Sequence, residues 1–259
     1  MKSATSLSAI GTRLGAAVLA LAAAPAITVP AAAFEIEGTG LTVGITPTVS
    51  SDYLFRGISQ TRNRPAVQGT VDIEHSTGFY VGAFVSNVAF LGTDARQEVD
   101  LLAGYRFGVA GVKLDVGGVY YAYPGYDPRP GQFDLDYFEF AARATYELDP
   151  VKFLGSAFYS PNFQSESRFS LYVEGGVEVK IPVAGTDFTL AGRVGYQFIH
   201  RNERFGVPDY LHYQATVSVN VFDFVLTGGY FDTTIRRSEC AGGQRICEGR
   251  FMVILSRMF

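Results

Sequence analysis

The sequence predicts an all-β fold: a transmembrane, antiparallel, up-and-down β-barrel of twelve strands, with ten or fourteen as the alternatives. Three observations carry that expectation. Residues 1–33 form a short basic and apolar segment of the kind that directs export. Beyond it, alternating apolar and polar residues recur in stretches whose connections are short and long in turn. The last such stretch stops on Phe259.

The leader comes first in the chain. Lys2 and Arg13 flank its start, residues 14–29 are small and apolar, and Ala31-Ala32-Ala33 offers a cleavage site before Phe34. The apolar run falls short of the ~20 residues that a spanning helix needs, so residues 1–33 read as a secretory signal peptide. Residues 34–259 then form the barrel. They contain no apolar run of the ~18 residues needed for a helical span. Residues 1–33 hold two bases and no acid, which leaves 19 basic and 25 acidic residues and a net charge of −6. That balance argues against a nucleic acid partner. The 21 Phe and 15 Tyr suit aromatic girdles at two membrane interfaces, and the 29 Gly suit curved strands. The lack of Trp is the one compositional feature that runs the other way.

Alternation marks strands at 41–55, 66–75, 78–88, 97–107, 111–123, 134–148, 151–160, 169–181, 187–199, 209–220, 222–232 and 249–259. Most approach the ~9–11 residues of a tilted membrane crossing. Short connections fall at 75–78, 108–110, 149–150, 182–186 and 221. Long polar ones fall at 56–65, 89–96, 124–133, 161–168, 200–208 and 233–248. Periplasmic turns and extracellular loops alternate in this way, and an even strand count returns both ends to the periplasm. Residues 34–40 leave no room for a plug domain.

The period of two assigns faces. In the first strand Leu41, Val43, Ile45, Val49, Tyr53 and Phe55 share one face, and Thr46, Thr48, Ser50 and Asp52 the other. Leu211, Tyr213, Ala215, Val217 and Val219 likewise oppose His212, Gln214, Thr216, Ser218 and Asn220. In the last strand Phe251, Val253, Leu255 and Phe259 face one way, with Arg257 the single break in that row, placed where it can snorkel. A charge at the bilayer midplane costs ~2–4 kcal/mol, so the polar rows must face a wet interior.

One stretch carries a resemblance. Ser51-Asp52-Tyr53-Leu54-Phe55-Arg56-Gly57-Ile58-Ser59-Gln60 is followed by Pro65-Ala66-Val67-Gln68-Gly69, Gly78-Phe79-Tyr80-Val81-Gly82, Ser86-Asn87, Glu98-Val99-Asp100, Gly104-Tyr105, Tyr123-Pro124-Gly125 and Tyr137-Phe138-Glu139. It resembles the signature of the TorF-type porin family, a proteobacterial family long described as of unknown function. The match is densest over residues 51–140. It implies an outer-membrane barrel with pore function and brings no catalytic or substrate residues with it.

Chemistry-bearing residues are therefore sought in the interior. Asp52, Asp72, Glu98, Asp100, Asp115, Glu139, Glu174 and Glu178 are expected to face inward against Arg106, Lys113, Arg143, Lys180 and Arg193, with Arg56 at the outer mouth. As a channel these would line a narrow, mixed-charge lumen for passive diffusion of small solutes, with a modest preference for cations. The alternative is a salt-bridged interior filled by side chains, because twelve strands lie between the filled eight and the open sixteen. Ser59 to Arg64 read as a solvated surface loop, with an inward constriction or an anion receptor as the alternative. Tyr120, Tyr121, Tyr123 and Tyr126 read as an interface girdle or a sugar-stacking surface.

No enzymatic activity and no cofactor are expected. The rival class is an outer-membrane hydrolase using His200 or His212, with Glu203 and Asp209 nearby; His75 falls in a periplasmic turn. No Gly-x-Ser-x-Gly supplies a nucleophile elbow. Cys240 and Cys247 without an adjacent His make an incomplete metal set, so no metal site is expected, and export to an oxidising compartment favours a disulfide between them. Asp94, Asp127 and Asp232 are isolated acids. Phe259 is the expected C-terminal signal for the barrel-assembly machinery. Outer-membrane lipid, lipopolysaccharide and small solutes complete the expected partners, in the bacterial outer membrane.

Overall fold

The computed structural model describes residues 33–259, so the expected leader lies almost wholly outside the described residues. The chain forms β1 (Phe34–Ile36), β2 (Leu41–Ser50), β3 (Leu54–Phe55), β4 (Ile58–Ser59), β5 (Ala66–His75), β6 (Phe79–Asn87), β7 (Gln97–Val109) and β8 (Val112–Ala122). It continues with β9 (Tyr137–Leu148), β10 (Val151–Ser160), β11 (Ser170–Val183), β12 (Thr186–Ile199), a single helical turn α1 (Asn202–Phe205), β13 (Tyr210–Val221), β14 (Phe224–Thr233) and β15 (Arg250–Ser256).

Twelve of these strands close a barrel. Each of β5 to β15 pairs antiparallel with its neighbour, and β2 pairs with β5 on one side and β15 on the other. Closure leaves no long unpaired edge. The seam is short in strand pairing, from Thr48 to Ser50, but the backbone extends it: Phe259 N–H donates to Ile45 O at 2.8 Å, and Ile45 N–H returns the bond at 3.0 Å. β1 lies along the rest of β2, with Phe34 opposite Val43.

Asp149-Pro150 and Ala184-Gly185 turn where alternation puts them, while Ala110-Gly111 and Phe222-Asp223 fall one or two positions later. Ala110-Gly111 and Ala184-Gly185 both hold two consecutive residues at positive φ, the geometry that matches the twist of a tight hairpin. Phe222-Asp223 does the same without a glycine. The outer wall is apolar: Ile45, Val49, Val67, Phe79, Leu101, Phe140, Phe153, Val177, Val217 and Val253 are all exposed. Phe251, Val253, Leu255 and Phe259 share that wall, as the alternation of the last strand requires.

One expectation about the wall fails. The first strand does not run to residue 55 but leaves the barrel after Ser50, and Tyr53 and Phe55 are 4% and 6% exposed. Their parity had put them against lipid. The chain instead turns into the barrel, where aromatic rings bury against other rings. The core therefore lies inside the outer half of the barrel, where Tyr53, Phe55, Phe84, Val119, Tyr121, Tyr123, Tyr137, Phe163 and Ile199 form one cluster.

Candidate functional site

The segment that enters the barrel is a hairpin. β3 and β4 are joined by Arg56 at φ 48° and Gly57 at φ 83°, again a two-residue turn with both φ positive. Gly57 has no room for a side chain: an added Cβ would lie 2.6 Å from Thr233 Cγ2 and 2.9 Å from His212 Cβ. The hairpin thus rests on β13 and β14. Leu54 packs with Phe231 and Met252 on the same side, and Ile58 joins Val207, Tyr210, Ile235 and the two cysteines.

From that seat Arg56 reaches the opposite wall. Its guanidinium donates to both carboxylate oxygens of Glu139 at 3.1 and 2.6 Å and to Gln197 Oε1 at 2.6 Å. It also lies 4.1 Å from the centroid of the Tyr172 ring and 4.6 Å from that of Phe55. Tyr121 donates its hydroxyl to Glu139 at 3.1 Å. Arg56 and Glu139 are 3% and 0% exposed, so this is a buried bidentate pair, strong because it is fully hydrogen-bonded. Arg56 does not sit at the outer mouth. It lies inside, because the turn that carries it is folded inward.

The base of the hairpin is fastened separately. Asp52 accepts from the Ser59 and Thr61 hydroxyls, both at 2.6 Å, and from Arg250 at 2.7 Å. Ser59, Gln60 and Thr61 are buried, while Arg62, Asn63 and Arg64 are exposed. The first half of the loop read as solvated is therefore buried. Tyr121 and Tyr123 are buried, and only Tyr120 of that group belongs to the outer wall.

Below and beside the hairpin the charged residues form networks. Lys152 Nζ lies 2.6 Å from Glu178, Arg193 lies 2.8 Å from Glu178 and 3.3 Å from Glu174, and Tyr172 donates to Glu174 at 2.8 Å. Nearer the short turns Arg106 pairs with Glu74 and, at 3.5 Å, with Asp115; Arg143 is 3.6 Å from Asp115 and Tyr80 donates to it at 2.8 Å. Lys113 meets Glu147 at 3.1 Å, and Lys180 is exposed. Glu98 accepts from Tyr53 at 2.5 Å. Asp100 is fully buried with neither carboxylate oxygen partnered by protein.

The structure joins Arg56 to Glu139, Arg193 to Glu174 and Glu178, and Arg106 and Arg143 to Asp115, while among the described residues Asp52, Asp72, Glu98, Asp100, Lys113 and Lys180 form no ion pair with another member of the inward set. Parity missed Lys152 and Glu74, and it misplaced Tyr53 and Phe55 because they leave the wall. One signal was present: Ile58, within the connection 56–65, is an apolar residue that a solvated loop has little reason to hold.

The remaining candidates have other settings. His212 is 1% exposed, stacked on the Tyr172 ring with its Nε2 2.7 Å from the Tyr172 hydroxyl. His200 stacks on Phe169, and His75 Nδ1 bonds the Thr77 hydroxyl at 2.7 Å. Cys240 and Cys247 form a disulfide, with Cα atoms 6.0 Å apart. The Arg257 guanidinium lies 4.5 Å from the Phe259 ring centroid and 3.4 Å from Asp223, in the short turn between β13 and β14. Among the described residues no group of three or more His, Cys, Asp or Glu is placed to hold a metal ion.

The family described as "Bacterial protein of unknown function (Gcw_chp)" matches residues 36–259. No curated protein matches the chain. Among solved structures, a KdgM porin in complex with disordered oligogalacturonate is 8% identical, with a TM-score of 0.54 over 84% of this chain and 98% of that one. A second KdgM porin structure gives 8% identity and 0.54 over 83% and 99%. A NanC porin gives 9% identity and 0.52 over 83% and 98%. At such identities the likeness is one of fold.

Proposed function

The chain belongs to that bacterial family of unknown function, and we propose that it is a porin-like channel of the outer membrane, through which small solutes diffuse down their gradients. The observation that carries this reading is the sorting of the two faces. The outer wall is apolar, while Glu74, Arg106, Asp115, Arg143, Lys152, Glu178 and Arg193 meet one another inside the closed barrel. The fold shared with KdgM and NanC porins supports it, as does the resemblance of residues 51–140 to TorF-type porins. In this reading residues 1–33 direct export, lipid and lipopolysaccharide surround the barrel, and Phe259 addresses it to the assembly machinery. The hairpin 54–59 is the constriction, and its displacement opens the lumen.

A second reading is favoured by one observation: the cluster around Tyr53, Phe55, Tyr121 and Phe163 is dry enough to seal a structural, non-conducting barrel. Planar-bilayer recording separates the two. Protein shown to be folded by its heat-modifiable migration is expected to give discrete conductance steps in KCl. No conductance above background from such a sample overturns the channel reading. A hydrolase reading would require phospholipid cleavage lost in His212→Ala, whose imidazole Nε2 lies 2.7 Å from the Tyr172 hydroxyl and 3.8 Å from Glu174.

A further inference from the structure

The interior bases are almost all spent on carboxylates. Arg56 is paired with Glu139, Arg250 with Asp52, Arg193 and Lys152 with Glu178, Arg106 and Arg143 with Asp115, and Lys113 with Glu147. Three inward carboxylates have no such partner among the described residues: Glu98, Asp100 and Asp72. Glu98 is held by the Tyr53 hydroxyl and approached by that of Tyr123. Asp100, two positions along the same face of β7, is 0% exposed, has no hydrogen-bond partner on either oxygen, and has Glu98 and Glu139 as its nearest charges. Asp72 is on β5, where it leans across β6 over Gly82: an added Cβ there would meet Asp72 Oδ1 at 2.9 Å, and that oxygen is also unpartnered.

The register places these three along one wall. Asp100 lies opposite Phe84 of β6 and Asp72 opposite Gly82, so the carboxylates descend from the outer third of the barrel toward its periplasmic third. A buried carboxylate with no donor and no cation is costly, so such a group is met by a proton while dry and by a cation once water reaches it. Resting on the channel reading above, we propose that Glu98, Asp100 and Asp72 form a ladder of stations for small monovalent cations, and that the lumen, once the hairpin moves Tyr53 off Glu98, passes cations in preference to anions. Charged side chains along a narrow water path select by sign in this way. Around Glu98 and Asp100 the bases do not offset the ladder, because their charge is matched where they sit; Arg106 reaches Asp72, and Lys180 is exposed at the end that carries the short turns.

Reversal potentials in a KCl gradient test this. Wild-type protein is expected to favour K⁺ over Cl⁻. Asp100→Asn and Glu98→Gln are each expected to lower the K⁺/Cl⁻ permeability ratio roughly fivefold, the factor a unit charge exerts at about 4 Å in water. Asp94→Asn, in an exposed loop, is expected to leave it unchanged. If Asp100→Asn does not fold, Asp72→Asn, whose carboxylate is only partly buried, carries the measurement. A ratio favouring Cl⁻, or one unmoved in a folded ladder variant, overturns the inference and leaves the channel standing. A folded wild-type barrel with no conductance overturns both.

Discussion

Arg56→Ala is the most informative perturbation. The substitution removes a guanidinium that is 3% exposed from a carboxylate that is 0% exposed. Stripping one member from such a pair costs about 3–5 kcal/mol, because the other charge is left buried and unpaired. The cost falls only on the state in which the hairpin is seated, since a displaced hairpin lets water reach Glu139. At about 1.4 kcal/mol per factor of ten, the ratio of displaced to seated hairpin should rise between about 10²- and 10⁴-fold. Single-channel recording reads this as shorter closed times. Arg56→Ala/Glu139→Gln removes the stranded charge too, and Gln still accepts from Tyr121. The double variant is therefore expected to lie at least tenfold closer to wild type than the single variant, a coupling that independent effects would not give. Folded Arg56→Ala with wild-type closed times refutes the latch.

Other perturbations address the seat, the staple and the end of the chain. Gly57→Ala forces a Cβ to within 2.9 Å of both Thr233 and His212 at a left-handed φ, so it should loosen the hairpin by about 1–3 kcal/mol and raise conductance in the same direction as Arg56→Ala. Cys240→Ser/Cys247→Ser opens an eight-residue ring, worth about 2.5 kcal/mol of loop constraint. Proteolysis within residues 234–249 should quicken while the heat-modifiable barrel persists, and alkylation of untreated wild-type protein should find no free thiol. Deleting Phe259 should reduce the amount recovered from outer membranes in cells; equal recovery would remove its role as an assembly signal.

Period-two alternation made the wall legible. Every barrel strand overlaps its expected range, and rows such as Leu211 to Val219 against His212 to Ser218 face as their parity requires. Hydrocarbon enforces that rule, because a slip of one residue would set Glu174 and Glu178 into lipid. The same rule misplaced Tyr53 and Phe55 because it applies only while the chain stays in the wall. After Ser50 no lipid acts on the backbone, and long-range packing decides. Arg56 meets residues 83 and 141 positions away, a distance no local pattern encodes. The disulfide was legible because a seven-residue separation needs no tertiary knowledge.

The interior is asymmetric, and that asymmetry explains how a hairpin can be both seated and movable. β13 and β14 present His212, Gln214, Thr216, Ser218, Thr227 and Thr233 inward, neutral groups that tolerate an apolar hairpin without stranding a charge. Most of the interior ion pairs lie on β5 and on β7 to β12, and Arg250 of β15 meets Asp52 at the base of the hairpin. The hairpin rests on the neutral side through Gly57 and Leu54 and crosses the lumen with a single charge, Arg56. Apolar contact gives it a place without direction, whereas the bidentate pair fixes one orientation. A plug meant only to seal would be served as well by hydrophobic residues at positions 56 and 139 together, since well-packed apolar groups match or exceed a buried ion pair in stability. What an apolar pair lacks is the steep response to water, ions or solute reaching Glu139. Arg56→Met/Glu139→Leu supplies the comparison: a tightly closed barrel, insensitive to salt, whereas wild type opens more readily as ionic strength rises. Equal salt dependence of the two would make Arg56 a filler rather than a latch.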